Sequence, residues 1–345
     1  MKKVFLLFMA LLVVLMAGCT KDKEQSDSNK KSREKTDQSE KGDIYPLTGL
    51  QADGSTDRRA VGVMVNNHRK ARPQTGLSKA DIVFEILAEG QITRFLALFQ
   101  SEEPDVVGPV RSAREYYFEL AKGYDTLYVY HGAANFVNDM IDERGIEHID
   151  GALHDNDGTL FKRASSRKPP HNSYLQFDAV DDAAKEKGYD IKSKTEPLPF
   201  LTKDEVDQLS GNEAQHVRID YSLHDIMNVV EFDYDTDNEK YIRFSDREKT
   251  VELDTNEPIQ VDNVFIVETA HKIIDDEGRR AVDIESGGDA LLVQKGHVQQ
   301  VQWENIDGRI IPVKNGDPVG LVPGKTWINV IPEQPGIHDA VTISN

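Results

Sequence analysis

One cysteine serves all 345 residues, and it stands at position 19. A chain with a single thiol has no internal disulfide and no thiolate metal centre, so its fold must rest on hydrophobic packing. The cysteine follows an apolar run, Val4 to Ala17, behind Lys2 and Lys3. That run is shorter than the roughly 20 residues a membrane span needs. Its charged start and small-residue end read as an export signal over residues 1–18. Residues 20–43 then carry seven basic and seven acidic side chains and nothing apolar larger than a threonine methyl. Such a segment cannot bury enough surface to offset its ordering entropy, so residues 19–43 are expected to form a disordered tether reaching roughly 25–30 Å.

The "LMAGC" ending of the signal resembles a bacterial lipobox, with Met16 where leucine is more usual. On that reading Cys19 is acylated and anchors the protein to the outer face of the cytoplasmic membrane. An ordinary secretory signal followed by a chance cysteine is the alternative. Net charge is −19, and because the tether is neutral and the signal basic, the acidic excess lies beyond residue 43. This argues against nucleic acid as a partner and against a broad anionic-lipid surface, while leaving room for a local basic pocket.

The remaining residues are enough for two cores and read as α+β. Residues 44–195 form an α/β domain with a mixed sheet. "RAVGVMVNN" alternates Val61, Val63 and Val65 as a buried strand ending at Asn66, Asn67 and His68, and "DTLYVYHG" is another ending at His131. "ANFVNDMIDERG" and "FDAVDDAAKEKG" have helical spacing and stop at glycines. Residues 196–345 form a smaller, mostly antiparallel β-rich domain, with short strands from "VRIDYS" to "TWINVIP" and one helix capped by Thr202 and Glu205.

"ADIVFEILAEGQITRFLALFQS" reads as a hairpin closed by a two-residue turn at Gly90-Gln91. That register sets Leu87 opposite Arg94 and Glu85 opposite Leu96, leaving Arg94 diagonally between Glu85 and Glu89 on one face. Either the three neutralise one another as a ladder, or the face lines a polar cleft. In "GPVRSAREYY", Ser112 with Glu115 predicts a capping box opening a helix. Arg111 and Arg114 crowd that same turn, where the helix dipole favours anions. Their negative partner is Glu85 with Glu89, or a carboxylate or phosphate ligand, and the two answers are compatible.

"RKPPHN" gathers Arg167, Lys168, His171 and Asn172 on a loop stiffened by two prolines. It is either a shaped turn whose Asn172 and Ser173 cap a neighbour, or part of one site with Asn67, His68 and His131 at the carboxyl ends of their strands. "PGKT" lacks the upstream glycine of a phosphate loop, and "HDNDG" and "DYDTDNE" lack the ligand pattern of a calcium loop. No serine-hydrolase elbow or zinc-protease motif occurs. No metal or cofactor is expected.

Taken together, "VGVMVNNHRKARPQTGLSKADIVFEILAEGQITRFLALFQS", "GPVRSAR", "RKPPHN" and a late "GKTWI", all behind a lipobox, closely resemble the YerB-like family of bacterial lipoproteins. The resemblance runs from about Leu47 to Val330. It implies an N-terminal α/β domain, a smaller C-terminal domain and a Gram-positive or related source, and it implies no particular activity. The expectation is a lipid-anchored binding module. Its partner is an anionic cell-wall ligand or an envelope protein, met by Arg94, Arg111, Ser112, Arg114, Asn67, His68, His131, Lys168, His171 and Asn172. One alternative is an envelope hydrolase drawing on Glu85, Glu89, His131 or His171. Two glutamates four apart on a strand are about 13 Å apart, wider than the roughly 5–9.5 Å of paired glycosidase carboxylates. A pure protein-interaction scaffold is the other alternative.

Overall fold

The computed structural model describes residues 42–222 and 228–345, and Gly42–Asn345 makes one compact unit. The expected signal peptide, the lipidated Cys19 and the tether as far as residue 41 lie outside the described residues.

The alternating valines make β1, Val61–Asn66. It lies antiparallel to β3, Thr93–Phe99, which pairs in turn with β2, Ile82–Leu87. On its other side β1 runs parallel to Leu127–Tyr130, and that strand runs parallel to His148–Asp150. The sheet does not end with the first half of the chain. Strand Thr326–Pro332 lies parallel to both β2 and Asn263–Thr269. Through it the sheet continues antiparallel across Gly288–Gln294, His297–Ile306 and Arg309–Lys314, reaching twelve strands among the described residues.

Period-two alternation divides the two faces of this sheet. Val61, Val63, Val65, Val83, Phe95 and Trp327 face one core, shared with Val217, Ile219, Phe232 and Tyr241. Those four belong to a second, antiparallel sheet that includes His216–Asp220, Val229–Asp235, Lys240–Ser245 and Val341–Ser344. Met64, Phe84, Ile86, Leu96 and Leu98 face the other core, filled by Tyr116, Tyr117, Phe118 and Leu120 of helix α1, Glu115–Gly123. Helix α2, Asn135–Glu143, adds Val137 and Ile141 to it. The architecture is α+β, with a mixed sheet and helices in the N-terminal region and an antiparallel sheet in the C-terminal one. The capping box of Thr202 and Glu205 is present on Lys203–Asp207.

Two local expectations are corrected. The hairpin loop is one residue longer than a two-residue turn: the Ala88 N–H donates to Ile92 O at 2.8 Å, enclosing Glu89, Gly90 and Gln91. Gly90 and Gln91 both take left-handed φ of 61°, which lets three residues close the loop. Arg94 therefore pairs with Ile86 and Phe95 with Glu85, so Arg94 and Glu85 lie on opposite faces. Ser112, likewise, caps nothing. Arg111 N donates to Met64 O and Ala113 N to Gly132 O, which keeps that segment extended until Arg114, the residue at the cap of α1. Glu115 turns to Arg144, which donates to it at 2.6 Å.

Candidate functional site

The carboxyl ends of β1 and Leu127–Tyr130 are joined by the extended segment before α1. Asn66 N donates to Pro109 O, and His131 N donates to Arg111 O. This brings the Asn66–His68 corner, Arg111 and the "RKPPHN" loop to one edge of the sheet, where open α/β sheets leave a crevice.

At that edge the His68 and His171 rings stack, with centroids 4.5 Å apart. Their tautomers follow from their neighbours. The Lys70 backbone N–H donates to His68 Nδ1 at 3.1 Å. A backbone N–H can only donate, so the neutral His68 ring carries its proton on Nε2. Asn66 Oδ1 accepts from the His68 N–H at 3.0 Å, which orients the amide so that Nδ2 donates to His171 Nδ1 at 3.0 Å. His171 is therefore also an Nε2–H donor. Neither Nε2 has a partner among the described residues, and neither is shut off from solvent. Burial depresses both imidazole pKa values, and nearby cations add to it: Lys70, Arg111 and Arg72 at His68, and Arg111, Lys70 and Arg167 at His171, where the His68 ring contributes too.

Arg111, which acts on both rings, is a half-buried cation without a counter-charge. Among the described residues its guanidinium makes no hydrogen bond and no ion pair. Burial, and then the charge of Arg114, lower its pKa, against a weaker pull from Glu89. Arg94 and Arg114 are already paired. Arg94 donates to Glu89 Oε2 at 2.5 Å and to Ser112 O at 3.0 Å, and Arg114 holds Glu89 Oε1. Burial pulls Arg94 down to about 10. Burial pushes the Glu89 carboxyl up, but Arg94 and Arg114 outweigh it and the net shift is downward. Arg94 and Arg114 thus share one carboxylate, and of Arg111 and Arg114 only Arg114 has Glu89 as its partner.

Glu85 belongs elsewhere. It is fully buried and receives both its oxygens' bonds from Arg243 Nη2, at 2.9 and 2.8 Å. Trp327 Nε1 donates to it at 2.9 Å, Thr93 Oγ1 at 2.8 Å and Asn67 Nδ2 at 3.3 Å. The guanidinium of Arg243, equally buried, lies 4.5 Å from the Trp327 ring centroid. This network ties β2 to both the second sheet and the last strand of the long one.

Other expected site residues are occupied. Asn67 is 2% exposed and its Oδ1 accepts from Arg72 and Gln74. Asn172 accepts from Arg163 at 2.8 Å and donates to Ala164 O. Arg163 also donates to His131 Nε2 at 3.3 Å, so His131 carries its proton on Nδ1 and gives it to Ser173 Oγ at 2.8 Å. Lys168 is exposed at the rim. Sequence reasoning misses Asn66 and Arg243, because one acts by orienting two rings and the other by pairing across two sheets. Arg167, within the same motif, bonds only neutral oxygens: Ala71 O, Pro73 O and Tyr174 Oη. No group of three or more His, Cys, Asp or Glu among the described residues is arranged to hold a metal ion.

A larger cleft of about 540 Å³ opens beside Tyr221, His271, Arg280 and Pro335. Two of its polar side chains are turned away from it. Arg280 donates to Ala88 O and Gln91 Oε1, and the one unpartnered nitrogen of His271 is shut off from solvent.

The family described as "Protein of unknown function (DUF3048) N-terminal domain" matches residues 47–190, and its C-terminal companion matches residues 217–328. A Bacillus subtilis protein described as "Putative lipoprotein YerB" is 50% identical over 300 residues, which is 87% of this chain and 88% of the relative. The crystal structure of the YerB protein from Bacillus subtilis is similar at a TM-score of 0.80 and 48% identity, over 88% of this chain and 99% of that one. With strands, helices and family domains in agreement over nearly all of the described residues, the chain belongs to the YerB-like lipoprotein family, composed of the N- and C-terminal domains of DUF3048.

Proposed function

We propose that this protein is a membrane-anchored, extracytoplasmic binding module for an oxyanion-bearing ligand of the cell envelope, held at Arg111, His68 and His171. The observation that carries the reading is the Arg111 guanidinium, half-buried and without a carboxylate among the described residues, in a chain of net charge −19. A cation partly withdrawn from water is costly to leave unpaired, and an incoming anion relieves that cost. Two imidazole N–H donors stand beside it. The anchoring part of the reading rests on Cys19 behind its apolar run and on the description of the Bacillus subtilis relative as a lipoprotein.

The acid–base hydrolase alternative has less support. Glu85 is sealed against Arg243, both Glu89 oxygens are held by arginines, and each stacked imidazole already carries its proton on the outward nitrogen. None is a ready general base.

The test is calorimetric titration of the wild type and Arg111→Gln with a carboxylate-bearing muropeptide and a teichoic-acid fragment. Arg111 is the informative position because Arg114 also holds Glu89. Binding that disappears in Arg111→Gln at an unchanged melting temperature supports the reading. A wild type that binds neither, or a variant that binds as well as the wild type, removes it. Separately, Cys19→Ala should no longer incorporate labelled fatty acid, and continued labelling would refute the anchor.

A further inference from the structure

The stacked histidines say more about the ligand than its charge. Both present Nε2–H outward, and Arg111 offers only donors. The carboxylate and amide acceptors nearby already hold donors. Glu89 has each oxygen on an arginine. Asp150 Oδ1 accepts from Gly132 N and Ala152 N at 2.7 and 2.8 Å. Asp155 is held by Arg163 at 2.6 and 3.0 Å, and Asp246 by Arg72 at 2.7 Å. Asn66 Oδ1 is held by the His68 N–H. A ligand hydroxyl entering this cluster would lose its water and meet mainly donors and acceptors that already hold a hydrogen.

The anion also has room for company. Lys70 and Lys168 are exposed at the ends of the two segments that carry the histidines, and the Arg167 charge has only neutral oxygens for partners. These cations form a basic rim around the donor cluster on a protein of net charge −19. A single carboxylate would engage Arg111 and leave the rim idle.

We infer that the site takes a phosphodiester, an oxyanion that carries no proton, and that it favours one repeated along a chain over an isolated one. This rests on the anion-binding reading above and narrows it to one chemical class. A soluble polymer of phosphodiesters and the diester of a lipid headgroup share that chemistry, so the experiment must separate them.

The full-length protein in nonionic detergent is titrated at about pH 6, where inorganic phosphate and dimethyl phosphate are both mainly monoanions. The two probes then match in charge and differ in the protons that phosphate must place. Dimethyl phosphate should bind about ten-fold more tightly or better. His171→Phe, which keeps a ring on His68 but has no N–H, should lose much of the affinity for both probes. His171→Gln, whose amide N–H falls near the place of Nε2–H, should recover part of it. A short oligo(glycerol phosphate) should gain about a further ten-fold, lost again in a Lys70→Gln/Lys168→Gln variant.

Inorganic phosphate binding as tightly as dimethyl phosphate, with Arg111 still required, overturns this inference and leaves anion binding intact. Absence of any Arg111-dependent binding removes both. Binding to the oligomer but not to phosphatidylglycerol vesicles assigns the polymer, and the reverse assigns the lipid headgroup. Either result upholds the phosphodiester class.

Discussion

Arg243→Met cuts the one charge pair among the described residues that is closed to solvent at both ends. Arg243 and Glu85 are each 0% exposed, and the guanidinium makes two bonds to the carboxylate and a third to Thr250 Oγ1 at 2.7 Å. Methionine replaces much of the stem's apolar volume between Phe95 and Trp327, so cavity formation is a minor part of the cost. What is lost is the counter-charge. Glu85 keeps Trp327, Thr93 and Asn67 as neutral donors but has no counter-charge in a sealed core, which costs about 3–5 kcal/mol. For a body of this size that lowers the melting temperature by roughly 5–10 °C. The decisive assay is a double-mutant cycle with Glu85→Leu, read by urea midpoints and thermal melts. Removing both charges should leave the protein more stable than Arg243→Met alone, because no stranded carboxylate remains. Arg94→Met should cost less than Arg243→Met, since Glu89 keeps Arg114 and its side chain is 21% exposed. An Arg243→Met variant that melts with the wild type, or a double variant that loses the sum of the two single changes, would refute the reasoning.

Two further predictions test other parts of the fold. Burial raises the Asp81 carboxyl from 3.8 to about 6, against the donors Ser101 and Gln100. A carboxyl that binds its proton more tightly when folded makes the native state gain stability as pH falls from about 6 to about 4, by about 3 kcal/mol. Asp81→Asn should flatten that gain. Burial lowers His271 to about 4 and works in the opposite direction over the same range, so the difference in urea midpoints between variant and wild type isolates Asp81, and parallel pH profiles would exclude its role. At the end of α1, a Cβ on Gly123 would fall on the backbone carbonyl of Gly308, itself held at φ +84° in a tight turn. Gly123→Ala should therefore cost about 1–3 kcal/mol. An unchanged melting temperature would mean that helix and turn can part without strain.

Much of the secondary structure could be read directly from the residues. The alternation of Val61, Val63 and Val65 marks a strand buried on a fixed face, and Gly145 and Gly188 end the two stretches with helical spacing at φ of 62° and 76°. Thr202 and Glu205 specify their own cap. These signals act over two to four residues, which is the reach of a pleat, a helical turn or a capping bond. The long motifs also carried the family resemblance. His68, Arg111 and His171 could each be singled out from the residues as site candidates, whereas their meeting at one edge of the sheet comes from the strand order.

The tertiary structure alone decided who pairs with whom. One residue more in the Glu89–Gln91 loop turns Arg94 and Glu85 to opposite faces, and no local pattern distinguishes a two-residue loop from a three-residue one when Gly90 and Gln91 can both adopt left-handed φ. Glu85 then finds its cation 158 residues away, on a strand of another sheet. The His171 ring finds its orienting amide 105 residues away, on Asn66. Such partners are set by which strands lie side by side and which faces meet. The residues supply the charges and donors, but topology decides which of them are neutralised inside the protein and which, like Arg111 among the described residues, are left without a counter-charge.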